Sequence, residues 1–180
     1  TANNAGTITT NAVETFNITS TAVDADGAQN VITANGNAVT TINISGNAGV
    51  TLTSTATTLK TVDASAMTAG TLTFTASNAS MTVKGGAGAD NITIAATADG
   101  SKFYGNAGND TFHIAASADL ITIDGGAGAD KFDFNGVSTN KSNFVVLNNV
   151  DSGDIIDLAA FTATTFNSTK ITLSVGATES

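Results

Sequence analysis

The sequence has no cysteine, no proline and no tryptophan, and only six lysines and arginines in 180 residues. Without cysteine no disulfide can form, so a version working outside the cell needs another staple. So few basic residues argue against nucleic acid and against an anionic membrane surface as partners, since both are recognised through basic patches. No apolar run approaches membrane-spanning length, so the chain is not read as transmembrane. The first residues, Thr1-Ala2-Asn3-Asn4, lack the basic and apolar regions of a signal peptide. The absent initiator methionine and the abrupt ends suggest a segment of something larger. With one histidine, no zinc motif can be assembled from imidazoles. What remains is 41% hydrophobic and 12% charged, carries a net charge of -9 and contains 18 glycines. Threonine favours strands, and glycine and asparagine favour turns, so the composition reads as all-β. The acidic balance favours cations.

The most informative stretch is residues 85–134. Gly85-Gly86-Ala87-Gly88-Ala89-Asp90 recurs as Gly105-Asn106-Ala107-Gly108-Asn109-Asp110 and as Gly125-Gly126-Ala127-Gly128-Ala129-Asp130, each copy 20 residues after the last. A large apolar residue follows each aspartate two places on: Ile92, Phe112 and Phe132. Apart from Asn106, each turn fits G-G-x-G-x-D-x-U-x, a calcium-binding pattern of parallel β-helices. Glycine lets the chain turn sharply and aim carbonyls inward. Calcium takes six to eight hard oxygens, from carboxylates and backbone carbonyls. One turn supplies half a site, and a second turn stacked one strand spacing away, about 4.8 Å, supplies the rest. Three stacked turns therefore predict two shared sites, Asp90 with Asp110 and Asp110 with Asp130.

Short alternating segments surround these turns, at 7–10, 15–19, 31–34, 39–44, 50–53, 59–62, 71–75, 81–83, 91–94, 102–104, 111–114, 120–123, 131–134 and 144–147. Period-two alternation marks half-buried strands. The expected fold is a right-handed parallel β-solenoid of about 20 residues per coil. Residues 1–80 form Thr/Asn-rich coils, 81–134 the calcium-binding roll, and 135–180 a capping segment, all in one continuous solenoid. Lys60, on the same face as Val62, interrupts the alternation. The solenoid's last coil needs a cover, and the apolar stretch 144–161 is read as that cap. Asp63 and the trio Asp151, Asp154 and Asp157 are read as further ligands that extend the column at its two ends. Asp99 and Asp119 are read as solvated turn aspartates, with a second calcium column as the alternative.

Other chemistry finds no foothold. G-x-G-x-x-G fails at Asn91, and no Lys-Ser/Thr follows for a P-loop. His113 occupies an outward position and reads as a solvated surface residue. No Gly-x-Ser-x-Gly elbow is present, and no carboxylate pair stands out for glycoside hydrolysis. The chain is read as a non-enzyme.

The three turns resemble the nonapeptides of repeats-in-toxin (RTX) proteins. The segment NNVDSGDIIDLAAF resembles the stretch that closes RTX β-rolls in type I secreted proteins. LKTVDASAMTAGTLTFTA and the strands before it are similar to the solenoid of bacterial RTX-type surface-layer (S-layer) proteins. The resemblance implies a secreted, calcium-dependent protein that assembles with copies of itself into a lattice on the bacterial cell surface. Contact with cell-surface polysaccharide would run through parts outside this segment. The 20-residue interval departs from the family's nine or 18, so only one side of the roll carries the consensus. Two other readings stand beside this one. One is the calcium-folding C-terminal module of a secreted RTX protease or toxin. The other is an adhesin or ice-binding solenoid, for which the outward triplets Thr51-Leu52-Thr53 and Thr71-Leu72-Thr73 speak.

Overall fold

A computed structural model describes residues 4–21, 29–115, 120–135, 145–158 and 171–174. Its strands are β1 (Asn4–Thr9), β2 (Thr15–Ser20), β3 (Asn30–Asn35), β4 (Thr41–Gly46), β5 (Val50–Thr53), β6 (Thr61–Met67), β7 (Leu72–Ala76) and β8 (Thr82–Lys84). They continue as β9 (Asn91–Ile94), β10 (Lys102–Tyr104), β11 (Thr111–Ala115), β12 (Ile121–Asp124), β13 (Lys131–Asn135), β14 (Val145–Asn148), β15 (Ile155–Asp157) and β16 (Ile171–Ser174). No helix occurs among the described residues. None is therefore long and apolar enough to cross a membrane.

Odd strands form one 8-stranded sheet and even strands the other, and every pairing is parallel. Each coil thus lays one strand in each sheet and returns one strand spacing further along. This is the parallel β-solenoid expected from the sequence. Across the glycine turns the step is 20 residues: Thr82 faces Lys102 and Lys102 faces Thr122, while Asn91 faces Thr111 and Thr111 faces Lys131.

Side chains alternate as the strand pleat requires. Ile92, Ile94, Phe112, Ile114, Phe132 and Phe134 point inward from the odd sheet, and Val62, Val83, Phe103, Ile123 and Leu147 from the even one. Together they form one core running the length of the solenoid. Phe112 and Phe132 stack with centroids 5.6 Å apart and rings 7° from parallel. Threonine and asparagine fill most outward places. Asn43 Nδ2 donates to Asn17 Oδ1 of the neighbouring strand at 2.9 Å, one rung of a side-chain ladder.

The structure departs from the sequence reading in two places. Leu72 faces Val50, so the triplet that lies in register with Thr51-Leu52-Thr53 is Thr73-Phe74-Thr75 rather than 71–73. The coil there takes a longer step, and the following one, to Asn91, a shorter step. Lys60 does not disturb a strand, because β6 begins at Thr61; its Nζ donates to the Ala79 carbonyl at 2.8 Å from an exposed corner. The stretch read as a cap continues both sheets of the solenoid, with β14 on β12, β15 on β13 and β16 on β14. Residues 22–28, Asp119 and residues 136–143 lie outside the described residues.

Candidate metal centre

At one corner of the solenoid the chain passes from the even sheet to the odd one through residues 85–90, 105–110, 125–130 and 149–154. The aspartate stands immediately before the odd strand and two residues before its first inward apolar residue. Strand parity therefore turns Asp90 inward with Ile92, Asp110 with Phe112 and Asp130 with Phe132. All three aspartates are buried, at 2%, 1% and 1% exposure.

Their carboxylates form a ladder along the solenoid axis. Oδ1 of Asp90 accepts the Leu72 amide at 2.6 Å, and Oδ1 of Asp110 accepts the Asp90 amide at 2.7 Å. Oδ1 of Asp130 accepts the Asp110 amide at 2.9 Å, and Oδ1 of Asp154 accepts the Asp130 amide at 2.8 Å. The column thus has a fourth aspartate, Asp154, which the sequence reading placed only within a trio. The second oxygens differ from turn to turn. Asp90 Oδ2 accepts the Gly86 amide at 2.6 Å, and Asp154 Oδ2 accepts the Asp151 amide at 2.8 Å. Oδ2 of Asp110 and Oδ2 of Asp130 are buried without a hydrogen-bond partner.

The glycines make room for this column. A Cβ on Gly105 would stand 2.1 Å from Asp110 Oδ2 and 2.2 Å from the Gly125 carbonyl oxygen. Gly85 and Gly125 face their own aspartates in the same way, at 2.0 and 2.3 Å. The carboxylate occupies the space of the missing side chain, which explains the first glycine of each turn. The Gly88 carbonyl packs under Gly108, and the Gly108 carbonyl under Gly128. Ala87, Ala107 and Ala127 carry the coil-to-coil amide bonds, to Met67 O, Gly86 O and Asn106 O.

Burial pushes Asp90 up to about 6 and Asp110 up to about 7, against the restraining effect of their amide bonds. Asp130 is raised by burial as well, with the carboxylates of Asp154, Asp124 and Asp151 adding to it. A buried carboxylate with an oxygen left unmet needs a proton or a cation. The donors available here are carboxylate and carbonyl oxygens, the hard set that suits calcium. The two orphaned oxygens fit the group that the sequence implies. Among the described residues no cluster of three or more His, Asp or Glu side chains could hold a metal. A cation here would therefore take most of its ligands from backbone carbonyls.

Several expected ligands lie elsewhere. Asp63 points outward from β6, where Lys84 Nζ reaches it at 2.8 Å and Ser65 also donates to it. Burial alone would raise its pKa, but these bonds outweigh burial and hold it below the ordinary value. Asp157 sits on the outer face, paired with Lys131 at 2.9 Å. Asp151 is exposed and serves the turn through its backbone, accepting the Asp154 amide at 3.2 Å. Asp99 is exposed at the opposite corner. His113, read as solvated, instead pairs through Nδ1 with Asp133 Oδ2 at 2.9 Å and is half-buried.

One polar contributor went unnoticed in the sequence. Ser101 is fully buried at the far corner and accepts the Met81 amide at 2.9 Å. Its inward parity with Phe103 was the available signal. Asn106 donates its side-chain amide to the Gly85 carbonyl at 2.7 Å. A scan against protein-family models finds none that matches the chain, and a search of curated proteins finds no match either.

Proposed function

We propose that this chain is a calcium-stabilised, non-enzymatic structural module of a secreted bacterial surface-layer protein. In this reading calcium completes the buried aspartate column, and copies of the parent protein assemble side to side into a lattice on the cell surface. The observation that carries it is the pair of buried carboxylate oxygens, on Asp110 and Asp130, that no protein donor meets. The resemblance of the turns to RTX repeats supports the choice of calcium and of type I export. The outward columns support lateral assembly through polar contacts. On the even sheet they run Thr15-Thr41-Thr61-Thr82 and Asn17-Asn43-Asp63-Lys84, with no apolar residue among them. Electron microscopy of the full-length parent, with and without calcium, tests the reading. Ordered sheets that form only with calcium are expected. A soluble monomer at high protein concentration and about millimolar calcium, the range of extracellular sites, would remove the surface-layer reading.

One observation favours the adhesin or ice-binding reading. Thr33 faces Thr53, and Thr75 faces Thr93, in one outward column of the odd sheet. Ice-crystal shaping by the purified chain is its test.

A further inference from the structure

The three glycine turns create two junctions, and the structure makes them unequal. At the first, between the turns of Asp90 and Asp110, two of the oxygens that could face a cation are already engaged, and Asp110 Oδ2 is the one carboxylate oxygen left unmet. Asp90 Oδ2 holds the Gly86 amide at 2.6 Å, and the Gly85 carbonyl holds the Asn106 side-chain amide at 2.7 Å. At the second, between the turns of Asp110 and Asp130, both Oδ2 atoms are orphaned. Gly126 stands there in the place of Asn106, as the pairing of Ala107 with Ala127 shows, and it has no side chain to reach the Gly105 carbonyl.

The difference begins in the backbone. Asn106 and Gly126 adopt φ of 72° and 94°, in the left-handed region that asparagine and glycine tolerate. Gly86 lies outside that region. Its amide turns toward its own aspartate, whereas in the other two turns the corresponding amide leaves Oδ2 unmet.

We propose that the Asn106 amide takes the place of a cation at the first junction, so that calcium binding is confined to a single site at the second, between Asp110 and Asp130. This rests on the calcium reading above and narrows it. Asp90 becomes a structural cap at one end of the column, as Asp154 is at the other, both with two amide-bonded oxygens.

The test is calcium stoichiometry of the purified 180-residue chain, by equilibrium dialysis, together with melting temperature in calcium and in chelator. The wild type is expected to bind one ion. Asp110→Asn and Asp130→Asn are expected to abolish binding and the calcium-induced rise in melting temperature. Asp90→Asn is expected to keep the ion and to melt lower by the same amount in calcium and in chelator. Should Asp90→Asn not fold, Asp154→Asn, at a half-buried position, carries the same expectation. Asn106→Gly, which the backbone there accommodates, is expected to bind a further ion. Loss of the ion in Asp90→Asn or Asp154→Asn, two ions in the wild type, or an unchanged count in Asn106→Gly would overturn the assignment while leaving calcium binding intact. No ion bound by the wild type would instead remove the calcium reading itself.

Discussion

The Asp110 carboxylate accepts the backbone amide of Asp90, 20 residues earlier, at 2.7 Å. The same relationship joins Asp130 to Asp110. Each aspartate thus ties its own coil to the one before it, independently of any ion. It also brings a buried negative charge, and the balance between these two effects governs how the solenoid responds to its surroundings.

In calcium-free buffer the stability of the chain should fall as pH rises. Asp110 titrates near 7 in the folded chain and Asp90 near 6, both above the ordinary value of 3.8. The folded state therefore binds more protons than the unfolded state between these limits. The stabilisation that comes with protonation is complete below about pH 4 and is lost as pH climbs toward 7. The slope is roughly 1.4 kcal/mol per pH unit for each such group. Thermal melts from pH 5 to 8 without divalent ions check this. A melting temperature that is flat or rises across the range would contradict it.

Gly105→Ala should be strongly destabilising. The new methyl would fall 2.1 Å from Asp110 Oδ2 and 2.2 Å from the Gly125 carbonyl, and the carbonyl belongs to a backbone fixed by the next coil. Overpacking costs about 1–3 kcal/mol when side chains can yield. Here a backbone atom must move, so the loss should lie at or above the top of that range. Urea denaturation in calcium measures it, and a loss under about 0.5 kcal/mol, the usual effect of an inert surface change, would show that the coils are not packed this closely.

Phe112→Ala should cost about 3–5 kcal/mol. The ring is fully buried, and its stacking with Phe132 at 5.6 Å would be lost with it. Denaturation with calcium held constant keeps this core effect separate from the ion.

The strands were legible because nearly every one alternates. Ile92-Thr93-Ile94 and Phe112-His113-Ile114 have no other sensible reading. The aspartate column was legible because glycine spacing and strand parity agree. Register was less so. Leu72 resembles Leu52 in its sequence neighbours yet pairs with Val50, because corner length, invisible to alternation, sets the step. Asp63 looked like a turn ligand because Ala64-Ser65-Ala66 resembles a loop, but β6 runs on to Met67 and Lys84 arrives from the next coil. The strand at 155–157 was not legible because Ile155 and Ile156 do not alternate: Ile155 is exposed, while Ile156 pairs with Phe132 and its strand continues the sheet. Which carboxylate oxygens are left unmet depends on single backbone angles at Gly86, Asn106 and Gly126, and no sequence pattern encodes those.

The central claim is that calcium completes the fold, and circular dichroism with thermal melting in about 1 mM calcium and in excess chelator tests it most directly. An ion held with a Kd of about 10⁻⁴ M contributes roughly 1.4 kcal/mol at that concentration. The expected result near neutral pH is a strand spectrum and a cooperative melt in calcium, with a lower melting temperature or loss of the strand signal in chelator. An identical spectrum and an identical melting temperature in both would contradict the account.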